Sequence, residues 1–176
     1  MNLNQLLSAN GIDTAAWSRD RGTKDVSDLK AEIECGEAKL ESIDGTLTRV
    51  ISVVNIVVNV RLGDKLFILV EDKQIFFTGA IRQRGLRNIA EKIKPDETPL
   101  QAAQRAVYEE IGLNFAGEWL FTGTKNQQRI SPSYPNLNSC YQMFNYQIFL
   151  SAVDLERLRF TEVRNEKISL FTLEPI

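Results

Sequence analysis

The sequence predicts an α/β (α+β) domain of mixed strands around one strong central helix, preceded by a short helical extension. Three observations carry this expectation. Apolar residues recur at helical spacing over residues 99–111, between Thr98-Pro99 and Gly112. A Val- and Ile-rich run over 47–60 has the composition of a buried strand. Phe144, Tyr146, Ile148 and Leu150 alternate with period two, the mark of another strand. The chain has 176 residues, enough for one ordinary domain plus an extension. Hydrophobic residues make up 43% and charged residues 25%, which excludes wholesale disorder.

The elements follow in order. Asn2 and Gln5 form a capping pair for a first short helix that Gly11 stops. Asp13 caps a turn carrying Ala15, Ala16 and Trp17, and residues 18–24 read as a polar connector. Val26, Leu29 and Ile33 recur at helical spacing, with Gly36 as the stop. From residue 38 the texture changes to strands. Asp44-Gly45 is a hairpin signal between strands at 40–43 and from 47 onward. Gly63-Asp64 turns the chain into a strand at 65–70, and Glu71-Asp72-Lys73 reads as a further turn into 74–77. A polar stretch leads to the central helix. Later strands are expected at 119–121, 141–150 and 168–173, with a short helix at 154–158. Residues 125–139 read as a long loop, and loops of that length are usually functional or mobile. The expected division is a helical extension over 1–37 and a main domain over 38–176.

Composition restricts the chemistry. There is no histidine, so no Ser-His-Asp or Cys-His nucleophilic site, no His-ligated zinc and no imidazole acid or base can form. Chemistry must come from carboxylates, Lys, Arg, Tyr, Ser, Thr, Cys or a metal held by oxygen. Lys and Arg total 21 against 23 Asp and Glu, for a formal charge of -2, which is not the basic balance of a nucleic-acid binder. Cys35 and Cys140 are far apart and are expected to be reduced thiols. The first ten residues lack a basic region followed by an apolar core, so no secretory signal is expected. The apolar run over 50–60 is too short to span a bilayer as a helix, and a cytoplasmic protein is the expectation.

The central helix carries the most information. Thr98 suits the N-cap, Pro99 the first helical position, and Gln101 completes a capping box. Leu100, Ala103, Val107 and Ile111 form an apolar stripe. Arg105 and Glu109 are four apart and can pair. Positions 106, 109 and 110 share a face, where adjacent acids can hold Mg²⁺ or Mn²⁺ through oxygen.

In this segment the chain resembles the Nudix family, whose signature is G-x(5)-E-x(7)-R-E-U-x-E-E-x-G-U with U a bulky aliphatic residue. Glu97, Arg105, Val107, Glu109, Glu110, Gly112 and Leu113 match in register. The resemblance extends over residues 46–173. It implies an α/β/α sandwich with a mixed sheet and a central signature helix. It also implies hydrolysis of a diphosphate linkage in a nucleotide-like substrate with Mg²⁺ or Mn²⁺, and family members often dimerise. By resemblance, Glu109 and Glu110 are metal ligands, Glu97 buttresses the helix or reaches metal through water, and Arg105 orients the carboxylates.

Two positions depart from the signature. The opening glycine is Glu91, and the glutamate after the arginine is Ala106. In the family that glutamate is a main metal ligand and often the general base. Its loss leaves three alternatives open: a divergent hydrolase, a catalytically weak or inactive ligand-binding or regulatory module, or a scaffold in which the fold only mediates protein contacts. Replacement carboxylates could come from Glu91, Glu162 or Glu166. Arg82, Arg84 and Arg87 are candidates for gripping phosphate, with Arg82 and Arg84 projecting to one side of an extended segment. Tyr134, in the Ser-Pro-Ser-Tyr-Pro loop, is a candidate for stacking on a ring.

Overall fold

The structure is a computed structural model and describes residues 2–176. In chain order the elements are α1 (Leu3–Ala9), a 3-10 turn (Arg19–Arg21), α2 (Val26–Glu34), β1 (Lys39–Ile43), β2 (Thr46–Leu62), β3 (Lys65–Phe76), β4 (Ile81–Leu86), β5 (Ile89–Lys92), α3 (Pro99–Ile111), β6 (Leu120–Ile130), β7 (Asn138–Leu150), α4 (Ala152–Leu155), β8 (Thr161–Val163) and β9 (Lys167–Pro175). Nine strands and four α-helices among the described residues make this an α+β protein with a mixed sheet. The chain divides into two compact units. The first holds the chain up to Val53 with Lys92–Asp96 and Thr124–Met143. The second holds Val54–Glu91, Glu97–Gly123 and Phe144–Ile176.

The first unit is built on the two short helices that the sequence predicts. Asn2 and Gln5 form a reciprocal capping box on α1, and Asp25 and Asp28 do the same for α2. Asp44 and Gly45 both take positive φ, 51° and 76°, closing β1 onto β2 in a two-residue hairpin. Leu7, Ile12, Trp17, Leu29, Leu47, Tyr134 and Leu137 form the core cluster of this unit. Inside it lies a charged hub. Glu32 is 5% exposed. Its carboxylate accepts hydrogen bonds from both Nε and Nη2 of buried Arg49, from Lys24 Nζ at 2.6 Å and from the Tyr134 hydroxyl at 3.1 Å. Burial alone would raise the Glu32 pKa, but the hydrogen bonds from Lys24 and Arg49 outweigh it and hold the carboxyl below its ordinary value.

The strands of the sheet lie in the order β6-β7-β2-β3-β9-β8, with β4 also on β3. Gly63-Asp64 joins β2 to β3 as the sequence predicts. The expected turn at Glu71-Asp72-Lys73 is absent. The strand β3 runs straight through it, with a β-bulge between Glu71 and Lys73 against both β4 and β9. Four polar residues in a row, Glu71 to Gln74, imitate a turn in composition; sheet pairing on both sides keeps them extended. The polar stretch before the helix holds β4 and β5, which were not expected, and β8 is likewise additional. The expected long loop over 125–139 shortens to residues 131–137, because β6 and β7 extend into it. Helix α3 runs as predicted, with the Thr98–Gln101 capping box and Gly112 at φ 69°. The Arg159 side chain lies directly over the Gly112 Cα, so a side chain there would meet strain and a clash together. Leu100 departs from the expected stripe and is 38% exposed, whereas Ala102, Ala103, Ala106, Val107 and Ile111 are buried.

The hub yields a stability prediction. Glu32→Ala leaves Arg49 buried without its partner and is expected to cost about 3–5 kcal/mol. Thermal denaturation checks this, and a fall in Tm below about 2 °C would count against a buried charge hub.

Candidate functional site

The signature acids on α3 separate into two environments. Arg105 grips Glu97 with two hydrogen bonds, 2.6 Å from Nε and 2.9 Å from Nη2, and reaches Glu109 at 3.2 Å. Glu109 thus turns along the helix surface. Glu110 turns the other way, into a cavity of about 190 Å³ in the second unit. Arg164 Nη2 donates to Glu110 at 2.7 Å, and Arg164 Nε donates to Glu162 at 2.5 Å. One guanidinium therefore bridges the two carboxylates. Glu71 and Glu91 line the same cavity. Glu91 also acts electrostatically on both Arg105 and Arg164.

The bulge in β3 builds the cavity wall. With unbroken alternation, Glu71 and Gln74 would face opposite sides of the sheet. The bulge puts both on one side: Glu71 pairs across with Phe171 and Gln74 with Ser169, two residues apart on β9. Gln74 also lies opposite Arg82 on β4, and Ser169 opposite Glu162 on β8. Arg82, Gln74, Ser169 and Glu162 thus form one lateral row across four strands. Glu71 Oε2 accepts from Arg84 Nε at 3.2 Å.

The site residues expected from sequence are partly brought together. Glu110, Glu162, Glu91 and Arg84 line the cavity, and Arg82 and Glu166 line an adjoining open cleft. Two expectations require correction. Tyr134 is wholly buried in the first unit, packed on Trp17 at 5.1 Å with its hydroxyl on Glu32, so its ring presents no face to a ligand. The Ser and Pro around it suggested an open loop, but Trp17 and Leu137 close over the ring. Arg87 lies outside both the cavity and the cleft and pairs with Glu174 at 2.9 Å. Sequence reasoning missed Glu71, Gln74, Arg164 and Lys167. The first two were hidden by the apparent turn, and the last two have no local motif.

The family resemblance implies a divalent metal, and with Arg164 seated between Glu110 and Glu162 the arrangement does not fit one. Among the described residues no three acidic or thiol side chains converge as a metal-binding group. Ala106, at the position of a main ligand, is fully buried. A cationic guanidinium already stands between Glu110 and Glu162. Both cysteines are free thiols, Cys35 exposed and Cys140 buried, and neither lines the cavity.

Burial, then the neighbouring Glu162 carboxylate, push the Glu110 carboxyl up to about 7 against the pull of Arg164. In the unfolded chain this proton leaves near the ordinary 4.5. The folded state therefore holds the extra proton between these values, and stability falls as pH rises through that window. Glu110→Gln removes the titration. It is expected to be more stable than the wild type by about 1–2 kcal/mol at about pH 8, after discounting for partial exposure, and to come level with it at about pH 4. Tm measured against pH tests this; parallel curves for the two proteins would contradict it.

The NUDIX domain family model matches residues 49–171. Among solved structures, the chain is similar to the NUDIX domain of Shewanella oneidensis NrtR complexed with ADP ribose, at 13% identity and a TM-score of 0.47, covering 70% of this chain and 71% of that one. It is similar to a C. elegans Ap4A hydrolase in a binary complex, at 14% identity and a TM-score of 0.40, covering 68% and 79%. It is also similar to a MutT/nudix family protein from Enterococcus faecalis, at 11% identity and a TM-score of 0.51, covering 92% of this chain and 54% of that one. No curated protein matches the sequence. No helix among the described residues is long and apolar enough to cross a membrane. The family match spans more than half of the chain, and Glu97, Arg105, Glu109, Glu110 and Gly112 stand on and around α3 in signature register: the chain belongs to the Nudix domain family.

Proposed function

We propose that this chain is a divergent Nudix-type protein that binds the diphosphate of a nucleotide-like molecule and acts as a ligand-binding or regulatory module rather than as a fast metal-dependent hydrolase. The observation that carries the reading is Arg164, whose guanidinium bridges Glu110 and Glu162 where the family chemistry asks for a metal ion. Ala106 supports it, because the face that would supply the third carboxylate is apolar and buried. Arg82, Arg84 and Lys167 supply positive charge for phosphate oxygens. The residues themselves recognise and orient; no general base is assigned.

A second reading, diphosphate hydrolysis with Mg²⁺ or Mn²⁺, has its own supporting observation. Glu71, Glu91, Glu110 and Glu162 line one cavity, and carboxylate oxygens are the donors that such hard cations select. It requires Arg164 to leave the acids. A cytoplasmic location, a homodimer and a distinct helical extension over residues 1–37 complete the proposal. That extension lies outside the family match.

The test is a panel of nucleoside diphosphate derivatives offered to the pure protein with Mg²⁺ or Mn²⁺, read for thermal stabilisation and for product. The expected result is stabilisation without turnover. Hydrolysis by the wild type would sink the module reading in favour of the second. Arg164→Ala is expected to gain a Mn²⁺-dependent rise in Tm that the wild type lacks, because two freed carboxylates then face each other. Ala106→Glu is expected to lose about 2–4 kcal/mol from a newly buried carboxylate, and to gain activity only if metal binds beside it.

A further inference from the structure

The cleft beside the acidic cavity holds a hydrogen-bonding group that the protein itself does not satisfy. Gln74 is 3% exposed, and it lines both the cavity and the cleft. Its amide nitrogen donates to Glu71 Oε1 at 2.7 Å and lies 3.5 Å from Ser169 Oγ. Its carbonyl Oε1 is buried and has no hydrogen-bond partner among the described residues. The amide orientation is fixed chemically. Turned over, the carbonyl would face the Glu71 carboxylate, two acceptors in contact. Glu71 is held as an acceptor by Arg84. A buried carbonyl left without a donor costs about 1–3 kcal/mol. The bulge in β3 nevertheless puts Gln74 in the wall of both the cavity and the cleft.

The surroundings define what would supply the donor. The cleft has a volume of about 420 Å³ and opens beside Phe76, Arg82 and Lys167. Neither Arg82 nor Lys167 has an ion-pair partner among the described residues. Two uncommitted cations and an apolar ring therefore flank a single buried acceptor. That combination fits a molecule carrying anionic groups, a flat or apolar portion and a neutral N–H or O–H donor between them. We propose that Gln74 Oε1 is a specificity-determining acceptor that reads an N–H or O–H donor on the nucleoside portion of the ligand, so that the site selects nucleosidic diphosphates over bare pyrophosphate. This rests on the diphosphate-binding reading above and deepens it.

Calorimetry on the full chain in metal-free buffer tests it with inorganic pyrophosphate, ADP, 2′,3′-dideoxy-ADP and inosine diphosphate. The last two separate the donor sources: one lacks the ribose hydroxyls, and the other replaces the amino group by a carbonyl. The expected result is ADP binding at least about tenfold tighter than pyrophosphate, with about tenfold loss in one of the two analogues, because the site's acceptor is then left unpaired. Equal binding of the three nucleotides overturns the proposal, since no donor is then being read. If pyrophosphate binds as tightly as ADP, the donor proposal alone falls; if no compound binds, the site reading falls with it.

Gln74→Met gives an independent arm. It keeps the side-chain volume and removes the orphan acceptor together with the amide donor to Glu71. The expected result is an ADP affinity about tenfold lower and a pyrophosphate affinity within about twofold of wild type. Equal weakening of ADP and pyrophosphate would mean that the side chain shapes the site without reading a donor, and would overturn the proposal. The ligand series on the wild type decides the matter should this variant fail to fold.

Discussion

A single guanidinium sets the character of the site. Arg164 holds Glu110 from α3 and Glu162 from β8 on the same cation, and Glu91 feels the same charge. Like-charged carboxylates brought this close out of water require a counter-charge. In a metal-dependent hydrolase a divalent ion serves that need and does chemistry while doing so. An arginine neutralises the acids without polarising a water molecule, and here it holds Glu110 and Glu162 together by charge and hydrogen bonding. The raised Glu110 pKa is the residue of that compromise: burial and Glu162 still outweigh Arg164.

Arg105 solves a neighbouring problem differently. It commits two hydrogen bonds to Glu97 and one to Glu109. These acids brace the start of α3 and the helix surface, and Glu110 alone enters the cavity. The face on which Ala106 lies is lined with small buried side chains, Ala102 and Ala103 among them. The helix therefore keeps the capping, the arginine brace and the glycine stop of the signature, and sends one of its acids, Glu110, into the cavity.

Much of this was legible in the sequence where a local rule decides the outcome. The capping boxes at Asn2 and Thr98, the Asp44-Gly45 hairpin and the Gly112 stop depend on residues close in the chain, and each appears as expected. The candidate site was legible only along α3 and, loosely, in the naming of Glu91, Glu162, Arg82 and Arg84. Arg164 and Lys167 could not be read, because their roles come from strand pairing across β3, β9 and β8, which no short-range pattern encodes. Tyr134 misled for a related reason: a Ser- and Pro-rich segment looks like an open loop until a distant Trp17 and Glu32 are placed against it. The run from Glu71 to Gln74 misled because polar composition marks turns and bulges alike.

The bulge at that run has a consequence for how such chains diverge. Beyond Asp72, every side chain of β3 owes its facing to one unpaired residue. Deleting it would restore even alternation and exchange the two faces of the strand end in a single step, sending Gln74 and Phe76 to the other side while leaving their identities intact. Ligand choice in this fold can therefore change by a shift of phase rather than by substitution. Relatives compared position by position across this strand would seem to share residues that in fact point to opposite sides of the sheet.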